Sequence, residues 1–364
     1  MSKNRIIAVV VLGLLVVGAQ ALAQAPAGPT IPAHYIQDQI TSVALAGNVL
    51  GDPATRPLLV YLPPSYAQEP QRRYPTIYFL HGFGGDQTNF LGWGIDIVSL
   101  ATDLRAAGKM GEVIMVFPNA KNAYGGSWFA RNPLTGDYRT YLAKELVTYI
   151  DTKYRTIADP NHRAISGYSM GGYGALSLAI EYPDVYGAVA ACSPVSDMQA
   201  SSDVPPAPGE REPNIVDWIA ANHPKEGPYK NAAGAIQDLV YGWAAAWTPN
   251  LSKPPYFVDL PVKFPEMTAI PAVYQKWVDA DLIRQIKRDG ANLAKTPILV
   301  VIGRGPTTIS AEVVGRTLVA ALYEKALSFT YVATPGDHIS DARIKVSTAL
   351  EFLYPHIAAP VDAK

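Results

Sequence analysis

Ser169 and His338 are the residues of this chain whose types and surroundings best fit a nucleophile and its base. A serine hydroxyl is a weak nucleophile until a base takes its proton. An imidazole titrating near neutrality can do that and later protonate a leaving group. Ser169 stands in Gly167-Tyr168-Ser169-Met170-Gly171-Gly172, entered from Ala164-Ile165-Ser166 and left through Ala175-Leu176-Ser177-Leu178-Ala179. The pattern predicts a strand, a sharp turn with serine at its apex, and a helix, which is a nucleophile elbow. Such a turn strains the serine backbone, and a side chain at Gly167 or Gly171 would collide across it. A glycine-rich turn whose serine only caps the next helix is the simpler alternative.

Attack on an acyl carbon passes through a tetrahedral oxyanion, which needs two preorganised N–H donors. One normally comes from the residue after the nucleophile, here Met170. The other comes from the loop after an earlier strand, here His81-Gly82-Phe83-Gly84-Gly85, which offers the N–H of Phe83. His81 itself reads as a structural residue that hydrogen-bonds this loop. His338, in Pro335-Gly336-Asp337-His338, falls between the last predicted strand and the closing helix, where an α/β-hydrolase keeps its base. His34, His162, His223 and His356 fall elsewhere. A third residue should be an acid after the run Pro297 to Ile302, to orient the imidazole and stabilise its charged form. The chain there reads Gly303-Arg304-Gly305-Pro306-Thr307-Thr308-Ile309-Ser310, without a carboxylate. Glu312 is the first candidate, although a helix start favours Glu for dipole reasons alone. Asp197, after the neighbouring strand, is the second.

The elements that must position these groups follow from alternating apolar runs and helix-period segments, the signature of βα units in a mostly parallel sheet. Strands are expected at Leu58 to Leu62, Thr76 to Leu80, Val113 to Phe117, Arg163 to Ser166, Gly187 to Cys192, Pro297 to Ile302 and Ser328 to Ala333. Tyr138 to Ile150 reads as a surface helix laid on the sheet. From Ser201 to about Val278 the rhythm breaks, and the stretch rich in Pro, Trp and Tyr reads as an inserted cap. The expected class is therefore α/β: an α/β-hydrolase fold over residues 24–364, with an inserted cap at 201–278. Tyr124, Trp128 and Phe129 are assigned to the substrate pocket beside the aromatic cap.

Composition narrows the partners. With 364 residues, 49% of them hydrophobic, the chain can bury one large core. A formal net charge of −1 provides no basic field for a polyanion, so nucleic acid is not an expected partner. Lys3 and Arg5 precede an apolar run from Ile6 to Val17 that ends at Ala21-Leu22-Ala23. This reads as a secretory signal peptide over residues 1–23, implying a periplasmic or secreted protein with no stable membrane anchor after cleavage. The single cysteine, Cys192, lies in an apolar strand and reads as a buried, inert thiol. The histidines are scattered without ligand spacing, and neither a metal nor an organic cofactor is expected.

Taken together, these residues resemble the esterase D-like family of α/β-hydrolases, which includes S-formylglutathione hydrolases, feruloyl esterases, enterobactin esterases and mycolyltransferases. Besides the elbow, the likeness covers Ala46-Gly47-Asn48, Leu59-Val60-Tyr61-Leu62-Pro63-Pro64, the His81 to Gly85 loop, Leu134-Thr135-Gly136-Asp137-Tyr138 and Tyr154-Arg155-Thr156. It runs from about Ser42 to Glu181, thins through the cap, and returns at Gly336-Asp337-His338. The resemblance implies Ser169 as nucleophile, His338 as base, Phe83 and Met170 as oxyanion donors, and a small-molecule or glycan-linked ester as substrate. Family members usually carry Asp or Glu a few residues after the position of Gly303. Because this chain does not, two readings stand: a serine esterase working through an acyl-enzyme, or a weakened relative that binds a ligand or glycan. Acyl transfer in place of hydrolysis is a further alternative.

Overall fold

Runs of Val, Ile, Leu and aromatic residues bounded by turn residues become strands buried on both faces, as a sheet covered by helices on either side requires. The computed structural model describes residues 31–32, 34–92, 94–196, 219, 239–264, 266, 268–305 and 311–358, with the backbone alone described at 311–315. The expected signal peptide, most of the cap before residue 239, Asp197 and the Glu312 side chain lie outside the described residues.

The sheet comprises β1 (Tyr35–Thr41), β2 (Thr55–Tyr61), β3 (Thr76–Leu80), β4 (Ile114–Pro118), β5 (Arg163–Tyr168), β6 (Ala188–Cys192), β7 (Ile298–Gly303) and β8 (Phe329–Thr334). Their spatial order is β1-β2-β4-β3-β5-β6-β7-β8. Only the β1–β2 and β2–β4 pairings are antiparallel; the remaining neighbours run parallel. All seven expected strands form. β1 was not expected: at this edge only Tyr35 and Ile40 are buried, and the polar Gln37, Asp38 and Gln39 between them hide the alternation.

Alternation along each strand sorts the core into two layers. Ile77, Phe79, Met115 and Leu299 face α1 (Ile97–Ala106) and a C-terminal helix, α8 (Ala342–Ile357). Tyr78, Leu80, Val116 and Val300 face the opposite layer, which holds α2 (Leu146–Lys153) and α3 (Met170–Glu181). The helix expected from Tyr138 to Ile150 forms, but with one wider π-type turn at Tyr141–Glu145 between a first turn at Tyr138–Thr140 and α2. Cys192 is buried in β6, and burial pushes its thiol up to about 12, which keeps it protonated and unreactive at neutral pH.

The described part of the cap contains more regular structure than its composition suggests. It forms α4 (Leu239–Trp247), a short ribbon pairing Val262–Lys263 with Thr268–Ala269, and α5 (Pro271–Ala280), which ends just past it; α6 (Leu282–Asp289) follows outside the cap. Trp243 and Trp247 of α4 stack on one another and pack against Trp277 and Trp128. The helix α7 (Ala311–Glu324) links β7 to β8. No helix of the described residues is long and apolar enough to cross a membrane.

Candidate active site

The loops after β3, β5, β7 and β8 leave the parallel part of the sheet at the same edge, and β5 is central, pairing Gly167 with Leu80 of β3 and Ala191 of β6. Ser169 follows β5 with φ 57° and ψ −116°, a conformation unfavourable for any residue with a side chain. It is held there because its N–H donates to the Cys192 carbonyl (2.9 Å) while its carbonyl accepts from Tyr173 N–H (3.0 Å). Glycine is needed on both sides. A Cβ at Gly167 would lie 2.2 Å from the Gly171 carbonyl oxygen, and one at Gly171 would lie 1.9 Å from that of Leu80. Ser169 stays partly exposed at the apex.

His338 meets it there. Its Nε2 is 3.0 Å from Ser169 Oγ, within reach of the proton it would abstract. The ring's Nδ1 is buried and has no hydrogen-bond partner among the described residues. Burial foremost, and then the charge of Lys345, bring His338 down to about 4, opposed only in part by Asp337. Asp337 is adjacent in sequence, but its carboxylate is occupied by the N–H groups of Ile339 (2.8 Å) and Ser340 (2.7 Å). The segment where an acid was expected packs tightly on the histidine loop. Arg304 N–H donates to Thr334, and Gly305 N–H donates to Gly336. A Cβ at Gly303 would stand 2.1 Å from the Asp337 carbonyl oxygen, and one at Gly305 2.9 Å from Asp337 Cβ. Side chains, carboxylates included, therefore have no room at these two positions.

The loop after β3 is pinned from three directions. His81 Nε2 accepts from Ala120 N–H (2.9 Å), which leaves Nδ1–H to donate to the Gly82 carbonyl (2.8 Å). Asn89 Oδ1 accepts from Gly82 N–H (2.9 Å), and Gly84 N–H donates to Gly125 (2.8 Å). Among the described residues, neither Phe83 N–H nor Met170 N–H is taken by a backbone carbonyl outside regular elements. Met170 is the first residue of α3, whose N–H groups and dipole favour negative charge.

Tyr124, Trp128 and Phe129 are all fully buried, and neither Tyr124 nor Phe129 presents an open pocket wall. Tyr124 donates its hydroxyl to the Tyr256 carbonyl. Phe129 lies against Gly174 of α3, where a Cβ would be 2.2 Å from its ring. Trp128 packs beside Phe83, with ring centroids 6.3 Å apart. Trp128 thus backs the loop after β3 and Phe129 backs α3; as a wall for substrate, Tyr124 and Phe129 have no surface to offer. Trp128 lines a polar cavity of about 560 Å³ together with Tyr173, Arg139 and Gln285, and neither Ser169 nor His338 borders that cavity.

With a serine at a strained elbow and an imidazole nitrogen 3.0 Å from its hydroxyl, similarity to known proteins becomes informative. The model of the Esterase family ("Putative esterase") matches residues 53–338. The chain belongs to the Esterase family. An esterase of Mycobacterium tuberculosis is 35% identical over 202 residues, 52% of this chain and 36% of that protein. Mouse S-formylglutathione hydrolase is 30% identical over 154 residues, 37% of this chain and 50% of that enzyme. The chain thus spans half or less of the length of these curated relatives. A solved ferulic acid esterase superposes with a TM-score of 0.61 at 20% identity, covering 88% of this chain and 97% of that one. At that identity the superposition establishes the shared α/β-hydrolase fold.

Two features of this chain are not evident from its sequence. Tyr168 donates its hydroxyl to the His338 carbonyl, and Lys345 lies fully buried behind the same loop. The available signal was an Asp341–Lys345 spacing of i,i+4 on the apolar face of α8, where a lysine needs a partner. Among the described residues no group of three or more His, Cys, Asp or Glu side chains could hold a metal ion.

The buried histidine of the loop after β3 should also make the protein acid-sensitive. Burial brings His81 from 6.5 to about 4. Between those values the unfolded chain binds a proton that the native chain does not, so stability falls as pH drops from 6.5 towards 4. The full effect of His81 is on the order of 3 kcal/mol. Urea unfolding at pH 7 and pH 4.5 should show this loss, and His81→Gln should reduce the difference between the two pH values.

Proposed function

We propose that the protein is an exported serine esterase that hydrolyses a carboxylic ester through an acyl-serine intermediate. The observation that carries this reading is the 3.0 Å contact between His338 Nε2 and Ser169 Oγ at a strained elbow. In the proposed cycle Ser169 Oγ attacks the ester carbonyl carbon while its proton passes to His338 Nε2. The N–H groups of Phe83 and Met170 receive the oxyanion. Collapse breaks the bond to the alcohol oxygen, which takes the proton from His338. Water, deprotonated by the same imidazole, then releases the acid and restores Ser169.

Glu312 is the proposed acid, with Asp197 as the alternative. The buried Nδ1 of His338 supports the need for one, because an unpaired buried polar group is costly and an imidazolium more so. Likeness to an S-formylglutathione hydrolase and a ferulic acid esterase supports a small-molecule ester or thioester, such as an S-formyl or feruloyl group, and the apolar run from Ile6 to Val17 behind Lys3 and Arg5, read as a signal peptide, supports export.

The test is hydrolysis of short- and medium-chain nitrophenyl esters by the protein and its Glu312→Ala and Asp197→Ala variants. Glu312→Ala should lower kcat by about 10⁴-fold. The acid limb of its kcat/KM profile should also move down, because burial and Lys345 then lower His338 without an opposing carboxylate on Nδ1. An equal loss in Asp197→Ala instead would transfer the role. Absence of turnover across acyl chain lengths would favour the second reading, a weakened relative that binds ligand, for which the lack of a carboxylate from Gly303 to Ser310 speaks.

A further inference from the structure

The face of the histidine loop turned away from Ser169 is built around a lysine. Lys345 projects from α8 with no exposed surface, and its Nζ forms an ion pair with Asp341 one turn earlier. Its other contacts all reach the histidine loop or the strand beneath it. Nζ donates to the Asp337 carbonyl, to the His338 carbonyl (3.4 Å) and to the Tyr168 hydroxyl (3.3 Å). The Tyr168 hydroxyl donates in turn to the His338 carbonyl. That carbonyl is therefore held by two donors, one from the residue preceding the nucleophile and one from the closing helix.

A buried ammonium persists only where a counter-charge and hydrogen bonds replace water. Here the acceptors are mostly main-chain oxygens of the loop that carries His338. Asp341 completes the clamp by accepting from Gly336 N–H (3.0 Å). Burial opposes its ionisation, but the bonds from Lys345, Thr334 and Gly336 outweigh this and hold its carboxyl below the ordinary value. Nothing among the described residues orients the imidazole through Nδ1. The ring is fixed from its backbone instead, and the Tyr168 ring stands edge-on to it at 5.9 Å.

We infer that Lys345, paired with Asp341, is a positioning residue of this esterase: by clamping the Asp337 and His338 carbonyls it holds Nε2 in line with Ser169 Oγ. The inference rests on the proposed serine esterase chemistry. It carries an electrostatic corollary, since a buried cation behind the base disfavours protonation of that base. Among the described residues, the charged or titratable groups facing His338 are Lys345 from α8, Asp337 from the loop and Tyr168 from β5, and of these Lys345 is the one that lowers its pKa.

The test is the double variant Lys345→Met/Asp341→Asn, which removes both charges and so leaves neither buried and unpaired. Its Tm should stay within a few degrees of the parent. With nitrophenyl esters kcat should fall about 10- to 100-fold through misplacement of the base, while KM changes little. The acid limb of kcat/KM should move to higher pH, a change that a purely structural role would not produce. A folded double variant with unchanged kcat and an unmoved limb overturns the inference. Should the double variant not fold, Tyr168→Phe takes its place, removing one donor to the His338 carbonyl while the ion pair stays. It should lower kcat about three- to tenfold, and unchanged kcat overturns the inference. Should the parent show no turnover dependent on Ser169, the esterase reading is what has failed. The clamp is then judged by NMR titration of the His338 imidazole, whose pKa rises in the double variant if Lys345 acts as inferred and is unchanged if it does not.

Discussion

Ser169→Ala and His338→Ala should each lower kcat for ester hydrolysis by about 10⁶-fold, and the double variant should be no slower than either single one. The non-additivity follows from the geometry. Oγ and Nε2 are 3.0 Å apart and share one proton, so removing either group removes the same step. The oxyanion donors remain in both variants and account for the residual rate above water. The size of the loss also reports on the third residue. A parent already lacking a working carboxylate would fall only about 10²-fold, because the acid accounts for about 10⁴ of the whole. KM should change little in either variant, since neither group is proposed to bind the ground state more tightly than the transition state.

Gly171→Ala has the largest expected effect on the fold. The added methyl would be 1.9 Å from the Leu80 carbonyl oxygen and 2.9 Å from that of His81, both backbone atoms of the central sheet and its exit loop. No rotamer relieves a Cβ, so either α3 must withdraw from β3 or the elbow must open. Overpacking of this kind destabilises by about 3 kcal/mol or more. The same displacement moves Met170 N–H and Ser169 Oγ together, so the fraction that folds should also be nearly inactive. Urea unfolding gives the first quantity and ester turnover the second. Gly84→Ala is a useful contrast: its φ of 77° disfavours a side chain, but a Cβ there meets nothing within 4 Å, so its loss should be about 1–2 kcal/mol.

The elbow was legible because its chemistry requires particular residues in a particular order. Strand, Gly-x-Ser-x-Gly and helix can be read directly, and the collisions expected at Gly167 and Gly171 are those observed. The same holds for His81, which fastens the loop after β3 through both ring nitrogens. Central strands were legible because burial on both faces leaves nearly unbroken apolar runs. β1 was not, since an edge strand with two buried residues carries too little pattern. Cap helices were obscured by proline and aromatic content, which describe what packs there and not the backbone that carries it. Tyr124 and Phe129 show the limit of reading aromatic residues near a motif as a pocket. Their type was informative about burial, but only the fold shows that Phe129 packs on α3 and Tyr124 on the Tyr256 carbonyl. Lys345 was missed because a lysine in a helix is normally solvated; its role depends on carbonyls that only the tertiary structure brings to it.

The central claim, that Ser169 is a nucleophile activated by His338, is tested most directly by covalent trapping. The intact protein is incubated with a fluorophosphonate and its mass is followed with time, beside Ser169→Ala and His338→Ala. The account predicts stoichiometric addition of one phosphonyl group, located on the peptide containing Ser169, with no addition in Ser169→Ala and greatly slowed addition in His338→Ala. An unmodified protein, or a label that persists when Ser169 is removed, would contradict it.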